Sequence, residues 1–276
     1  MAELDAIKSR VRARLAARDK DVELFTLRLQ RFLRERLRKI LRDVDRNDVT
    51  AQQAARVLGG LETAITEGGL DEHLRSLSQI HLDELRDAAT ALRNATGNSK
   101  ALSGADLQTL EQLITFDTEQ VGQTVKQYIG DLKPIIMRQV IAGERVDLEE
   151  IQDTVEPRVV SNIKTEIDTG VATFRRAVNM QKAADVGASW FLYFGPKPDK
   201  VIREFCEKVI TGTLEGFERS QPIYTREEIS RMDNGQGMSV ATAGGGYNCR
   251  HSWEVILDAD AQSLLGKDYN RILTNG

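Results

Sequence analysis

Cysteine is scarce in this chain of 276 residues, which contains only Cys206 and Cys249. Two cysteines exclude the disulfide framework of a small secreted domain, and neither belongs to a Cys-x-x-Cys pair, the usual nucleus of a structural zinc site. We interpret them as two reduced, half-buried thiols of a protein made in the cytoplasm. A disulfide that forms after cell lysis is the alternative that the sequence leaves open.

Long apolar runs, prolines and aromatic residues are few as well. No apolar run approaches the length of a membrane span and no signal peptide opens the chain, so we expect no membrane partner. Only five prolines occur, and stretches of Ala, Leu, Glu, Arg and Gln favour helix in the first two thirds. Aromatic residues make up 5% of the sequence, and most of them lie from residue 190 onward.

This change in composition predicts a mostly α fold in two parts. Residues 1–185 are expected to form a helical domain of long helices, and residues 186–276 a small α+β domain with a short antiparallel sheet. A long helix from about Glu156 to Ala184, with Pro157 in its first turn, is shared by both parts. The residues from Tyr224 to Met232 predict a short helix that begins with a capping box.

Local signals predict interruptions in the N-terminal helices. We expect breaks at Asp19, Phe116 and Pro134, because aspartate and proline disfavour helix interiors and the pattern weakens near the phenylalanine. Asp48 is the expected cap of the second helical region, and Gly68-Gly69 its expected end.

Charge is distributed unevenly along the chain. The net charge is −4, yet residues 1–46 hold 14 Lys and Arg against 8 Asp and Glu. On the predicted helix of this N-terminal arm, leucines occupy one face and a basic arc occupies the opposite face. The basic arc consists of Arg28, Arg31, Arg34, Arg38, Lys39 and Arg42. It is either a solvated helix face or a contact for DNA phosphates or for an acidic protein surface, and the sequence leaves these alternatives open.

Three consecutive glycines, Gly244–Gly246, precede a dense group of polar side chains. Glycine allows positive φ and close backbone approach, so this glycine loop is expected to be tight. The residues after it are expected to open a strand, on which Cys249 and His251 point to one face and Arg250 to the other. The whole stretch from Asp233 to Gly246 is expected to be a mobile surface loop.

Five segments in the C-terminal half together form a recognisable series. They are Lys164-Thr165-Glu166, Trp190–Gly195, Arg203–Cys206, Tyr224–Ile229 and Gly245–His251. In this order the series resembles the Mu F-like head morphogenesis family, the minor head proteins of tailed bacteriophages. The resemblance covers about the last third of the chain, and its last segment is the most specific.

The resemblance implies a structural protein. Similar proteins are built into the phage prohead in few copies, associate with the portal vertex, and in some cases affect genome packaging or ejection. It therefore implies portal and capsid proteins as partners, the virion head as the location after synthesis in the host cytoplasm, and no catalysis. The residues that we assign to the structural motif are Glu166, Arg203, Cys206, Gly245, Gly246, Asn248, Cys249, Arg250, His251 and Trp253. Within it, we expect a buried Glu166–Arg250 ion pair between the long helix and the glycine loop.

Two other functions compete with this interpretation. Cys206, Cys249 and His251 could hold zinc, with Asp199, Asp233 or Asp258 as a weak fourth ligand, in a phage-encoded metal-dependent hydrolase. We expect instead that these three residues converge in one small hydrogen-bonded core with no metal and no cofactor, because neither cysteine belongs to a Cys-x-x-Cys pair. We expect no catalysis, because the chain lacks a phosphate loop, a Gly-x-Ser-x-Gly motif and a Cys-His-Asn signature. The other competing function is a DNA-binding assembly factor that acts through the basic arc.

Overall fold

The computed structural model describes residues 2–42, 44, 49–96, 104–144, 146–195 and 202–275. It is 76% helical, with long N-terminal helices and a small three-stranded antiparallel sheet near the C-terminus. The predicted fold class is therefore confirmed. None of the described helices is both long enough and apolar enough to cross a membrane.

The first two thirds of the described chain contain six helices. They are α1 (Ala2–Leu41), α2 (Ala51–Gly59), α3 (Leu61–Ile65), α4 (Asp71–Thr96), α5 (Gly104–Ala142) and α6 (Leu148–Asp185). The remainder mixes short helices with strands. It comprises β1 (Trp190–Phe194), α7 (Glu204–Thr211), β2 (Ile223–Thr225), α8 (Arg226–Arg231), α9 (Val240–Ala243), β3 (Ser252–Ile256), α10 (Asp258–Leu265) and α11 (Lys267–Asn275).

The chain divides into two compact units, each assembled from separate stretches. The first unit contains Met1–Lys20, Ile80–Ile114 and Asp168–Gly276, and the second contains Asp21–Gln79 and Thr115–Ile167. Helices α1, α4, α5 and α6 each contribute residues to both units. This is a different division from the boundary near residue 185, which stays a prediction.

The predicted helix breaks are wrong, because α1 continues through Asp19 and α5 continues through Phe116 and Pro134. Helix α6 likewise begins at Leu148 and contains Pro157 in its interior. A proline inside a helix leaves a carbonyl without its usual donor. Pro134 and Pro157 are both exposed, so water can satisfy that carbonyl while buried neighbours hold the helix in place.

The helix that follows α1 begins with a different cap from the predicted one. Asp48 lies outside the described residues, and α2 begins instead with Thr50, whose hydroxyl accepts a hydrogen bond from the backbone N–H of Gln53 in a capping box. The expected end at Gly68-Gly69 is a wide helical turn over Thr66–Leu70, in which Gly69 has a φ of 111°. Glycine adopts this conformation without strain, and the helical path resumes in α4.

The three strands are ordered β2-β1-β3, and both pairs are antiparallel. Strand β1 is buried along its whole length, so its alternating side chains enter two different cores of the first unit. Phe191 and Tyr193 pack with Cys206, Cys249 and Trp253. On the other face, Trp190, Leu192 and Phe194 pack against α1, α10 and α11, in a cluster that includes Leu4, Val11, Leu15, Ala261 and Leu265.

Candidate functional site

Cys206, Cys249 and His251 converge in the first unit, as we predicted. Their ligand atoms all lie within 4.8 Å of one another. The two Sγ atoms are 3.8 Å apart, and Cys249 Sγ lies 3.7 Å from His251 Nδ1. The Tyr193 hydroxyl lies 3.4 Å from each Sγ. We refer to Tyr193, Cys206, Cys249 and His251 as the Cys–His centre.

Four short stretches of the first unit position the Cys–His centre. Tyr193 comes from the central strand β1, and Cys206 lies in the first turn of α7. Cys249 follows the glycine loop, and His251 directly precedes β3 rather than lying on it. Asn248, directly before Cys249, has a φ of 59°, a left-handed conformation that asparagine tolerates better than most residues.

The glycine loop approaches the two thiols too closely to carry side chains. A Cβ atom on Gly245 would lie 2.2 Å from Cys206 Sγ, and one on Gly244 would lie 3.1 Å from Cys249 Sγ. Gly245 also accepts a hydrogen bond of 2.9 Å from Arg203 through its carbonyl, and Gly246 packs against the side chain of Gln236. The motif residues Arg203, Gly245 and Gly246 therefore shape the wall of the centre.

The stretch from Asp233 to Gly246 does not behave as one open loop. It contains helix α9, and all three residues of the glycine loop are buried. Asn234 donates a hydrogen bond of 3.0 Å to the Gly244 carbonyl. These contacts correct the expectation of an uninterrupted surface loop, because the glycines are needed for close packing rather than for flexibility.

Arg176 is the buried cation beside the centre, and sequence reasoning missed it. Its guanidinium donates hydrogen bonds to the carbonyls of Thr242, Cys249 and His251, the last at 2.6 Å. One residue of α6 thus satisfies three carbonyls around the glycine loop. The helical pattern gave no signal for it, because Arg176 lies on the side of the predicted long helix opposite to Val171 and Val178.

The predicted Glu166–Arg250 pair requires a buried Arg250, and the structure contradicts that requirement. The Arg250 side chain is 40% exposed, and its guanidinium lies 3.6 Å from a carboxylate oxygen of Asp19. Glu166 is half-buried and belongs to the second unit. The buried cation near the glycine loop is Arg176. Its side chain reaches the loop carbonyls from α6, whereas Arg250 follows the loop in the chain and does not reach them.

The environment favours a charge on one of the two thiols. Hydrogen bonding from Cys206 lowers the pKa of Cys249 against the opposing effect of burial, and His251 and Arg176 lower that pKa further. The same shared hydrogen bond raises the pKa of Cys206, and burial raises it further. Burial and the neighbouring sulfurs also raise the pKa of Tyr193. Of the two thiols, Cys249 therefore loses its proton more readily.

Two other motif residues lie around the centre. Trp253 is fully buried, packs against Tyr193 and donates a hydrogen bond of 2.9 Å from its indole to the Val240 carbonyl. The backbone N–H of Asn248 donates to the Thr169 hydroxyl on α6 at 3.1 Å. Both interactions fix the chain on either side of Cys249 and His251, so the roles are structural.

A second buried charge cluster lies elsewhere in the first unit and was also missed. The Glu254 carboxylate on β3 accepts hydrogen bonds from Arg14 at 2.6 and 3.1 Å and from Arg175 at 3.3 Å. Arg175 in turn donates to the backbone carbonyl of Glu84 at 3.0 Å. This cluster joins α1, α4, α6 and β3, and no local pattern links residues that lie so far apart in sequence.

The predicted capping box of α8 is confirmed and extended by a further charge. Thr225 caps the helix, and the Glu228 carboxylate accepts a hydrogen bond from the Thr225 backbone N–H at 2.9 Å. The same carboxylate forms a buried two-point pair with Arg219, at 2.6 and 3.1 Å. The Arg219 guanidinium also lies over the Tyr224 ring at 3.9 Å. These contacts tie the segment before β2 to the start of α8.

The basic arc divides into two groups within the second unit. Arg34 pairs with Glu156 and Asp153, and Arg38 lies 3.4 Å from Glu149, all three acids being on α6. The remaining members, Arg28, Arg31, Lys39 and Arg42, are exposed. On the opposite face, the predicted leucines Leu29, Leu33, Leu37 and Leu41 are buried. Part of the arc therefore holds α6, and four cations are left at the surface.

Comparison with known proteins provides no relative for this chain. No protein-family model matches it, and no match was found among the curated proteins or the solved structures. The similarity to the Mu F-like family therefore stays an interpretation that is based on the motif residues themselves.

Proposed function

We propose that the chain is a structural minor head protein of a tailed bacteriophage, incorporated in the prohead near the portal. There it assists head assembly or the packaging or ejection of the genome, and it catalyses no reaction. On this proposal it is made in the host cytoplasm, ends in the virion head, and has portal and capsid proteins as partners.

The observation that carries this proposal is the convergence of the segments on which the resemblance depends. Tyr193 of Trp190–Gly195, Cys206 of Arg203–Cys206 and both Cys249 and His251 of Gly245–His251 meet in one buried centre. If these segments resembled the family only by chance, nothing would require their residues to lie close together in the structure. Their glycines, ring stacking and carbonyl contacts fit a motif that maintains a fold.

Co-purification tests the proposal. An affinity-tagged chain is expressed together with the portal and major capsid proteins encoded in the same genome, and retained proteins are identified by mass spectrometry. We expect the portal protein to be retained on the tagged chain above the level seen with an untagged control. Retention of neither portal nor capsid protein would contradict the proposal.

The four exposed cations of the basic arc favour a second candidate, a DNA-binding assembly factor. If these cations contact phosphates, binding to duplex DNA should be independent of sequence, with a log–log salt slope of about −4. The variant Arg28→Glu/Arg31→Glu should remove that binding. The matched control is Arg56→Glu/Arg75→Glu, which makes the same change of charge at exposed positions of α2 and α4. Absence of salt-sensitive binding in the unmodified chain excludes this candidate.

A further inference from the structure

The spacing of the donor atoms in the Cys–His centre matches a tetrahedral zinc site. With Zn–S bonds of about 2.3 Å and Zn–N bonds of about 2.0 Å, two sulfurs stand about 3.8 Å apart and a sulfur and a nitrogen about 3.5 Å apart. The observed separations are 3.8 Å between the two Sγ atoms and 3.7 Å between Cys249 Sγ and His251 Nδ1. All three donor atoms also lie within 4.8 Å of one another, and zinc binding would set the third pair, Cys206 Sγ and the His251 nitrogen, at about 3.5 Å.

The Tyr193 hydroxyl is a candidate for the fourth ligand of a tetrahedral site. A zinc-bound oxygen stands about 3.5 Å from a zinc-bound sulfur, and the Tyr193 hydroxyl is 3.4 Å from each Sγ. None of the aspartates that we considered from the sequence is needed for this position. We propose that Cys206, Cys249 and His251 bind one structural zinc ion, with the Tyr193 hydroxyl as the fourth ligand.

The donor set selects zinc among the common metals. Two thiolates and an imidazole in a tetrahedral arrangement suit zinc, whereas magnesium and calcium require oxygen ligands. Cys206, Cys249 and Tyr193 are buried, and burial of charged thiolates is costly unless a cation compensates them. A divalent ion balances two thiolates, while Arg176 remains bound to the backbone carbonyls around it.

The surroundings favour a closed structural site over a catalytic one. Structural zinc sites have four protein ligands, whereas catalytic sites keep one position open for water or substrate. The glycine loop lies against the sulfurs so closely that a Cβ on Gly245 would be 2.2 Å from Cys206 Sγ. The ion would link β1, α7 and the segment before β3, and would thereby add the cross-link that the glycine-rich segment cannot obtain from apolar side chains.

Elemental analysis of the full-length chain, purified under reducing conditions without chelator, tests the proposal. We expect about one zinc per chain. After zinc removal, added Co²⁺ should give the visible absorption of a tetrahedral site and thiolate-to-metal charge transfer.

The substitutions Cys206→Ser and Cys249→Ser should each weaken zinc binding by more than about tenfold. Tyr193→Phe should keep thiolate charge transfer but change the visible cobalt bands. His73→Gln, on α4 in the second unit, is the matched control and should bind zinc normally.

Folding is monitored separately, because a serine variant could fail to bind zinc only through unfolding. In the unmodified chain, a chelator should lower the melting temperature, and Zn²⁺ but not Mg²⁺ should restore it. A chain that retains no zinc and shows no thiolate-to-cobalt charge transfer overturns the proposal. Zinc binding that is unchanged in Cys249→Ser overturns the assignment of ligands, and cobalt bands that are unchanged in Tyr193→Phe overturn the assignment of the fourth ligand.

Discussion

Replacement of Glu254 by glutamine tests the buried charge cluster of the first unit. The carboxylate is 9% exposed, and Arg175, one of its two partners, is 2% exposed. Glutamine keeps the shape of the side chain but removes the charge, and its amide group would face guanidinium donors. Glu84, 3.5 Å from Arg175, is then the only carboxylate beside the guanidinium groups of Arg14 and Arg175 in this cluster. Because one buried positive charge is left unbalanced, we expect a loss of about 3–5 kcal/mol in the free energy of unfolding.

The assay is thermal and urea unfolding of the full chain. For a protein of this size the expected loss corresponds to a decrease in melting temperature on the order of 10 °C. Glu204→Gln is the matched control, since Glu204 pairs with Lys208 but its side chain is 80% exposed, and its melting temperature should not change. A melting temperature of Glu254→Gln equal to that of the control would refute the reasoning.

A compensating substitution separates the charge from the packing. In Glu254→Leu/Arg175→Met, an apolar pair replaces a buried carboxylate and a buried guanidinium, and Arg14 keeps the access to solvent that it already has. We expect the double variant to be less destabilised than the sum of its two single variants. Each single change leaves one unbalanced charge in the cluster of Arg14, Arg175, Glu84 and Glu254, whereas the double change removes one charge of each sign. Additive losses would show that the residues contribute through packing alone.

Three further predictions follow from the same contacts. Burial opposes the charge on Glu254, but Arg14 and Arg175 hold its pKa below the usual value of 4.5. The stabilisation that the ionised carboxylate gives to the folded state is fully present above pH 4.5 and is lost as the pH falls towards the folded-state pKa. The free energy of unfolding of Glu254→Gln, measured in urea, should therefore depend less on acid than that of the unmodified chain. Gly245→Ala should lower the free energy of unfolding by about 1–3 kcal/mol, because the added Cβ would contact Cys206. Gly130→Ala should not lower it, because a Cβ at that position meets no atom within 4 Å. Equal melting temperatures of the two variants would show that the loop can move aside. If the exposed part of the basic arc contacts a head protein, Arg28→Glu/Arg31→Glu should reduce portal retention at an unchanged melting temperature, and retention equal to that of Arg56→Glu/Arg75→Glu would identify a solvated face.

The sequence predicted features that depend on neighbouring residues. Composition was sufficient for the mostly α fold, the aromatic run Trp190–Phe194 for a strand, and the Thr225–Glu228 spacing for the capping box. The motif order also placed Cys206, Cys249 and His251 together. Each of these signals lies within a few residues or within a recognised series, so it can be read from the sequence without knowing the tertiary contacts.

Features that depend on distant partners were not predictable in the same way. Glu254 meets Arg14 across 240 positions, and nothing near either residue indicates the other. The glycine loop was expected to be held by a buried ion pair of Arg250, and only the packing of α6 shows that Arg176 is the buried cation there. Helix breaks at Asp19 and Pro134 were overpredicted because tertiary packing outweighs an unfavourable helix propensity.

The most direct test of the proposed function is the protein content of purified phage heads. Heads are isolated from the phage or prophage that encodes this chain, and quantitative mass spectrometry measures the number of copies relative to the portal protein. We predict that the chain is present in few copies per head and stays with the head when soluble proteins are removed in high salt. Absence of the chain from heads that contain the portal protein would contradict the proposal.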